Sequence, residues 1–193
     1  MRYDKEHKQE TRSRIVKVAA ERFRREGIEA VGVASLMGSA GLTHGGFYAH
    51  FPSKEALVIE ACAEGLSDTI AGFGELVMAA PEGRRLRRLV KAYLSEQHRD
   101  EPEKGCVLAT LGPELARYPA ATRHAFSQRV DALQKLLGKT LTADGANPAL
   151  AGAIVSILVG ALILARTTDD PAQSRTCLEN GQQAALVLAG LAD

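Results

Sequence analysis

The sequence predicts an all-α fold of about nine helices. Three observations carry that expectation. Period-2 alternation is nowhere sustained and aromatic residues make up only 5% of the chain, so strand signals are nearly absent. Apolar residues instead recur three and four apart, the spacing that gives a helix one buried face. The seven prolines act mostly as punctuation, and Asn147-Pro148 and Asp170-Pro171 each place a capping residue before a first-turn proline. With 193 residues, 46% hydrophobic and 24% charged, the composition is ordinary for a globular chain, which disfavours disorder, collagen-like repeats and disulfide scaffolds.

Taken in order, the first helix is expected over 6–26, where Ile15, Ala19 and Phe23 recur four apart and Gly27 follows. Two short pieces come next, at 33–40 and 44–50. A long helix opens at Ser53 and carries Ile59, Cys62, Leu66, Ile70, Phe73 and Val77 on one stripe. Residues 83–99 form the next, with Leu86, Val90, Tyr93 and Leu94 inward. A shorter helix, 103–116, is disturbed near Gly112-Pro113. Residues 119–141 turn Phe126, Val130, Leu133, Leu137 and Leu141 inward, and the last helices cover 148–166 and 171–191.

Cys62, Cys106 and Cys177 are far apart and form no CxxC pair, so neither a zinc site nor a dithiol is suggested, and a reducing cytoplasmic setting fits. The charged N-terminus lacks the apolar core of a signal peptide. From 148 to 165 no charge occurs and Ser156 is the only polar side chain, a run that just enters the range of spanning helices. Its Ala and Gly content and polar flanks favour a buried helix of a soluble protein over a membrane span. No cofactor or metal is expected.

The formal net charge of +1 argues, as an average, against a nucleic-acid binder. The average hides a partition. Residues 1–54 hold ten Lys or Arg against six Asp or Glu, a net +4, and the remainder holds 14 against 17, a net −3. Within the basic part, VASLMGSAGLTHGGFYAHFPSK has the layout of a helix-turn-helix. Gly41 suits a turn position of positive φ, Leu42 can fill the angle between the helices, and Thr43 can cap the second. That second helix contains no acid and leads to Tyr48, His50 and Lys54, whose donors suit phosphates, while Ser53 opens the next helix with free amides. Gly45 and Gly46 weaken the helix but let backbone approach DNA closely. On spacing alone, a surface loop with ordinary histidines remains an equal alternative.

Residues 11–57 resemble the N-terminal domain of TetR-type transcriptional regulators. The resemblance rests on Thr11-Arg12, Ile15-Val16, Ala19-Ala20, Phe23 and Gly27, then on Ala40-Gly41-Leu42-Thr43, Phe47-Tyr48, His50-Phe51 and Ser53-Lys54-Glu55-Ala56-Leu57. It implies a homodimer with a helix-turn-helix DNA-binding domain over 1–52 and an effector-binding and dimerisation domain over 53–193. It also implies that Thr43, His44, Gly45 and Gly46 face bases or backbone, that Tyr48, His50 and Lys54 contact phosphates, and that Arg12 joins the DNA-binding set. Departures are Gly32, where relatives carry a capping Ser or Thr; Met37, where a small residue is usual; and Gly46, which leaves no side chain to read a base.

In the C-terminal part, Gly152, Ser156 and Gly160 repeat every four residues, while Cys177, Gly181, Ala184, Leu188 and Leu191 follow a 4-3-4-3 rhythm. Small residues on a stripe allow close helix approach, either within the chain or in the two-fold four-helix interface that the resemblance favours. The middle helices are expected to enclose a small, largely apolar effector. Candidate liners are Leu66, Ile70, Phe73, Tyr93, Cys106, Leu111, Phe126 and Val130, each equally suited to plain core packing, with Tyr93, Glu114 or Cys106 supplying polarity. Arg84, Arg85, Arg87 and Arg88 read as solvated charge rather than a second nucleic-acid site.

The expected function is therefore a ligand-responsive repressor of a palindromic or pseudo-palindromic operator. Two other classes are weighed against it: an enzyme using Cys106 as nucleophile with His98 or His124 as base, and a regulator that responds to Cys106 oxidation. Without a Ser-His-Asp order, paired carboxylates, a P-loop or HExxH, catalysis is the weaker reading.

Overall fold

The computed structural model describes residues 2–192, with side chains from Glu6 onward. Among the described residues there are nine α-helices, three 3-10 turns and no strand. Helix α1 spans Arg2–Glu26 and buries Ile15, Val16, Ala19, Ala20 and Phe23, the four-residue stripe expected of it. Helix α2 is Val33–Ser39, and α3 is the long Lys54–Met78, whose start is fixed by Ser53 Oγ accepting from Ala56 N at 3.1 Å. Together with the 3-10 turn His44–Ala49, α1 and α2 form the N-terminal head, and α1 packs along α3.

The expected helix over 83–99 is two helices: α4 Arg85–Tyr93 and α5 Glu96–Asp100. They part at Leu94 because Ser95 caps the second, its Oγ accepting from His98 N at 3.2 Å. The expected helix over 103–116 is likewise divided into a 3-10 turn, Pro102–Lys104, and α6 Val107–Leu115, which continues through Pro113. Helix α7, Ala120–Ala143, packs on α3, α4 and α8. Helices α8, Ala151–Thr167, and α9, Pro171–Leu188, pack closely on each other. Both proline signals are capped, but only Asp170-Pro171 opens an α-helix directly, Asp170 Oδ1 accepting from Ala172 N at 2.8 Å. Asn147 Oδ1 accepts from Ala149 N at 3.0 Å and opens a 3-10 turn, Pro148–Leu150, that leads into α8.

Residues Pro148–Thr167 are long and apolar enough to cross a membrane by length and composition. Here that stretch turns Ile154, Leu158, Leu162 and Ala165 into the core, against α6, α7 and α9. Its outward stripe includes Ser156, Gly160 and Leu164. Leu164, Val187 and Leu188 are among the exposed large apolar side chains, at 59%, 57% and 40%.

Two of the contacts that tie the head to the body are made at either end of the 103–115 stretch. Arg24 near the end of α1 is almost fully buried and donates from Nε to Glu103 O at 2.7 Å. Its guanidinium lies in the notch that Gly65 leaves on α3. At the other end of α6, the Glu114 carboxylate accepts from Ile28 N at 2.9 Å and Glu29 N at 3.4 Å, satisfying amides just past the end of α1.

Candidate nucleic-acid interface and effector cavity

Gly41 has φ +71°, the left-handed conformation expected at the turn between α2 and the following segment. Leu42 is half-buried and packs on the core, filling the corner. The following segment is a 3-10 turn, His44–Ala49, rather than an α-helix. Two consecutive glycines weaken α-helix formation, and six residues are few enough for 3-10 geometry to compete. Thr43 occupies the cap position, but its side chain makes no capping bond, contrary to expectation. The segment is pinned from beneath by Phe47 and Phe51, both fully buried, with rings stacked at 5.7 Å. Met37 is buried below Gly46, its Cε 3.7 Å from where a Cβ would stand.

Pinned this way, the segment turns Thr43, His44, Gly45 and Tyr48 to solvent, with Gly46 and Lys54 partly covered. Tyr48 is 67% exposed and stands edge-on to Phe47 at 5.3 Å. His50 is half-buried; burial first, then the charges of Lys8 and Arg12, push its pKa down, which favours a neutral ring. Arg12 departs furthest from the DNA-binding set. Its guanidinium bonds His50 O and Glu60 and lies 4.0 Å over the Phe51 ring, so it braces the segment from inside. A bracing pair absent from the sequence reading is Arg22 with α2: Arg22 Nη1 donates to Ser35 Oγ at 2.8 Å and Ser39 Oγ at 3.0 Å. Ser35 and Ser39, four apart on a short helix, were the available signal.

Between α3, α4, α5 and the 102–106 segment lies a cavity of about 300 Å³. Phe73, Leu76, Ala92 and His98 give it an aromatic and aliphatic wall, and Asp68, Glu101 and Lys104 stand at its polar side. Of the predicted liners, Phe73 and Cys106 reach it. Tyr93 lies behind Phe73, the two rings stacked at 5.4 Å. Leu66 and Leu111 are spent in the core, and Ile70, Phe126 and Val130 are half-buried off the wall, because α7 covers another side of α3. Glu114 supplies no polarity to the cavity, since its carboxylate caps the Ile28 and Glu29 amides.

His98 is the cavity residue that sequence reasoning considered only as a catalytic base. Its Nε2 accepts from Cys106 N at 2.9 Å, so Nδ1 carries the proton and donates to Tyr93 O at 2.6 Å. Burial pushes His98 down to about 4, against the smaller upward effect of the Tyr93 carbonyl. The lone pair that would deprotonate a thiol is thereby held by a backbone amide. Cys106 itself is fully buried, and burial pushes its thiol up, which keeps the reactive thiolate scarce.

On α8 and α9, Ser156 and Ala184 face outward with Leu188, while Gly160 and Cys177 are half-buried. No heavy atom of another element stands within 4 Å of a Cβ built at Gly160. Gly181 departs from the expected outward stripe: its Cβ would meet Ala161 Cβ at 2.5 Å and Leu94 Cδ1 at 2.8 Å, so it serves contact within the chain. Gly152 faces Gln134 of α7, where a Cβ would make only an ordinary contact at 3.6 Å.

Comparison with known proteins agrees with this architecture. Residues 15–61 match the domain family described as bacterial regulatory proteins, tetR family, and residues 73–179 match the family described as transcriptional regulator LmrA/YxaF-like, C-terminal domain. A curated relative, the HTH-type transcriptional regulator YerO of Bacillus subtilis, is 38% identical over 53 residues; that stretch is 28% of this chain and 18% of YerO. Among solved structures, a TetR transcriptional regulator from Chloroflexus aurantiacus superposes with a TM-score of 0.77 at 21% identity, covering 97% of this chain and 98% of that one. The reduced form of NemR from E. coli superposes with a TM-score of 0.75 at 20% identity, covering 91% and 95%. The chain belongs to the TetR family of DNA-binding transcriptional regulators.

Proposed function

We propose that the chain is a homodimeric, cytoplasmic repressor that leaves its operator when a small, largely apolar effector fills the cavity beside Phe73 and His98. The observation that carries the reading is the acid-free surface of Thr43, His44, Gly45 and Tyr48, held outward by the buried Phe47 and Phe51. Residues 1–52 act as the reading head and 53–193 as the effector and dimer domain. Tyr48, His50 and Lys54 set register on phosphates, while Gly45 and Gly46 let the backbone close on the groove. Arg12 contributes by holding His50 and Phe51 in place. The exposed Ser156, Leu164, Ala184, Val187 and Leu188 supply the two-fold face, which brings two reading segments to half-sites about 34 Å apart.

Coupling runs along α6. One end, at Cys106, is the cavity wall, and the other, at Glu114, holds the Ile28 amide of the head. Effector binding that displaces α6 or the 102–106 segment changes the pose of α1 through Glu114 and Arg24. Release needs an effector that favours that state by about 1–3 kcal/mol. Fluorescence anisotropy with the DNA upstream of the gene tests the reading. We expect saturable binding that weakens steeply with salt, as phosphate contacts require. A folded dimer that shows no salt-sensitive binding to any part of that DNA would overturn it.

A further inference from the structure

A second cavity, of about 740 Å³, adjoins the first. Its floor is apolar, formed by Ala79, Ala80 and Pro81 at the end of α3, and its rim is cationic, formed on α4 by Arg84, Arg88 and Lys91. The four arginines at the start of α4 do not simply fan into solvent. Arg85 is half-buried, 3.8 Å from Glu82, and Arg87 donates to Leu191 O at 2.8 Å. Arg84, Arg88 and Lys91 line the groove together with Arg87, and among the described residues no carboxylate pairs with Arg84, Arg88 or Lys91. The first amide-bearing turn of α4 is already met by Asp144, whose Oδ2 accepts from Leu86 N at 2.7 Å, so the excess positive charge of the groove rests on the side chains. Glu75 shares the wall and leaves the cationic side in excess.

Gly72 and Leu76 line both spaces. No heavy atom stands within 4 Å of a Cβ built at Gly72, so a gap remains where the two meet. Along α3 the joined space runs from Asp68 to Ala80, roughly 18 Å at 1.5 Å per residue. Its two ends differ in sign. At the cavity end Glu101 is paired with Lys104 at 3.1 Å, leaving Asp68 as the excess charge, whereas Arg84, Arg88 and Lys91 stand at the groove end.

Resting on the effector reading of the first cavity, we propose that the effector is an elongated amphipathic anion. Its apolar body lies against Phe73, Leu76 and His98, and its anionic head passes Gly72 to reach Arg84, Arg88 and Lys91. Asp68, whose charge is left in excess where Lys104 pairs with Glu101, disfavours the reverse orientation.

Calorimetric titration of the full-length protein, free of DNA, tests this with decanoate below its micelle concentration. Decanol and decyltrimethylammonium are the neutral and cationic controls, and acetate is the control without a tail. We expect decanoate to bind at least tenfold tighter than any of the three. The exposed double substitution Arg88→Glu/Lys91→Glu should cost decanoate at least tenfold and leave decanol unchanged, with the thermal melt confirming an intact fold. Equal affinity for decanoate and decanol overturns the proposal, as does undiminished decanoate binding in the folded double variant. Anisotropy with the upstream DNA on the same preparation separates the two readings. DNA binding without decanoate preference rejects only the effector class, whereas absent DNA binding rejects the repressor.

Discussion

Replacing Gly65 by Ala sets two effects of known sign against each other in one helix. In the interior of α3, alanine is favoured over glycine by about 1 kcal/mol. At this position the new methyl would overlap the Arg24 guanidinium and lie 2.9 Å from Val107 Cγ2. Arg24 is buried and tethered through Nε to Glu103 O, so making room costs a charge-assisted hydrogen bond, about 1.5–3 kcal/mol. Shifting the stiff, buried Val107 adds about 1 kcal/mol. The net is a loss of about 2 kcal/mol, which in a chain of this size lowers Tm by about 4–8 °C. Gly74, on the same helix, has no heavy atom within 4 Å of the added carbon. There the same substitution should raise Tm by about 2–4 °C. Circular dichroism melts at 222 nm give both numbers. If Gly65→Ala melts at or above the unsubstituted protein, the notch does not seat Arg24 and the account of the head–body joint fails.

Other substitutions separate stability from recognition. Ser53→Ala removes the cap of α3 and should cost about 1 kcal/mol, a fall in Tm of about 2–4 °C. Tyr48→Ala, at an exposed position, should leave the melt within about 0.5 kcal/mol. It should weaken binding to the upstream fragment about tenfold by anisotropy, from roughly 0.7 kcal/mol lost in each half-site. His98 gives a pH signature. Its folded pKa is near 4 against an ordinary 6.5, so the unfolded chain binds the extra proton between these values. Stability is complete above pH 6.5 and falls as pH drops toward 4, by up to about 3 kcal/mol. Urea melts across that range should show the slope, and His98→Gln should remove this contribution to it.

Features set by local chemistry were legible in the sequence. Ser53, Asn147-Pro148 and Asp170-Pro171 marked helix starts because a cap acts within three residues of itself. The turn at Gly41 followed from the same local rules. The 3-10 form of the reading segment was not legible, because α and 3-10 turns share a short glycine-containing sequence at nearly equal cost. The break at Leu94 was legible but overlooked: Ser95 is an ordinary capping residue inside a continuous apolar pattern. The candidate interface was readable through its motif, yet Arg12 shows the limit. Its role as an internal brace depends on Phe51 and Glu60, brought together only by folding. The cavity was the least legible part, since apolar stripes that fill a core and those that line a space have the same spacing. Glu114 reads as polarity for the effector space and Arg24 carries no sequence signal, and only tertiary placement turns one into an amide cap and the other into a buried tether.

The seating of Arg24 beside Gly65 bears on how such regulators can be rebuilt. A chimera cut at the start of the long third helix would leave Arg24 on one parent and Gly65 on the other. A chimera that joins this head to a body with any larger residue at position 65 would strand a guanidinium without its seat. One that joins this body to a head without the arginine would leave an empty groove beside Glu103. The transferable unit is therefore the head together with residue 65 and the carbonyl at 103, and graft designs that keep these three together should retain their melting temperature where simple cut-and-join designs lose it.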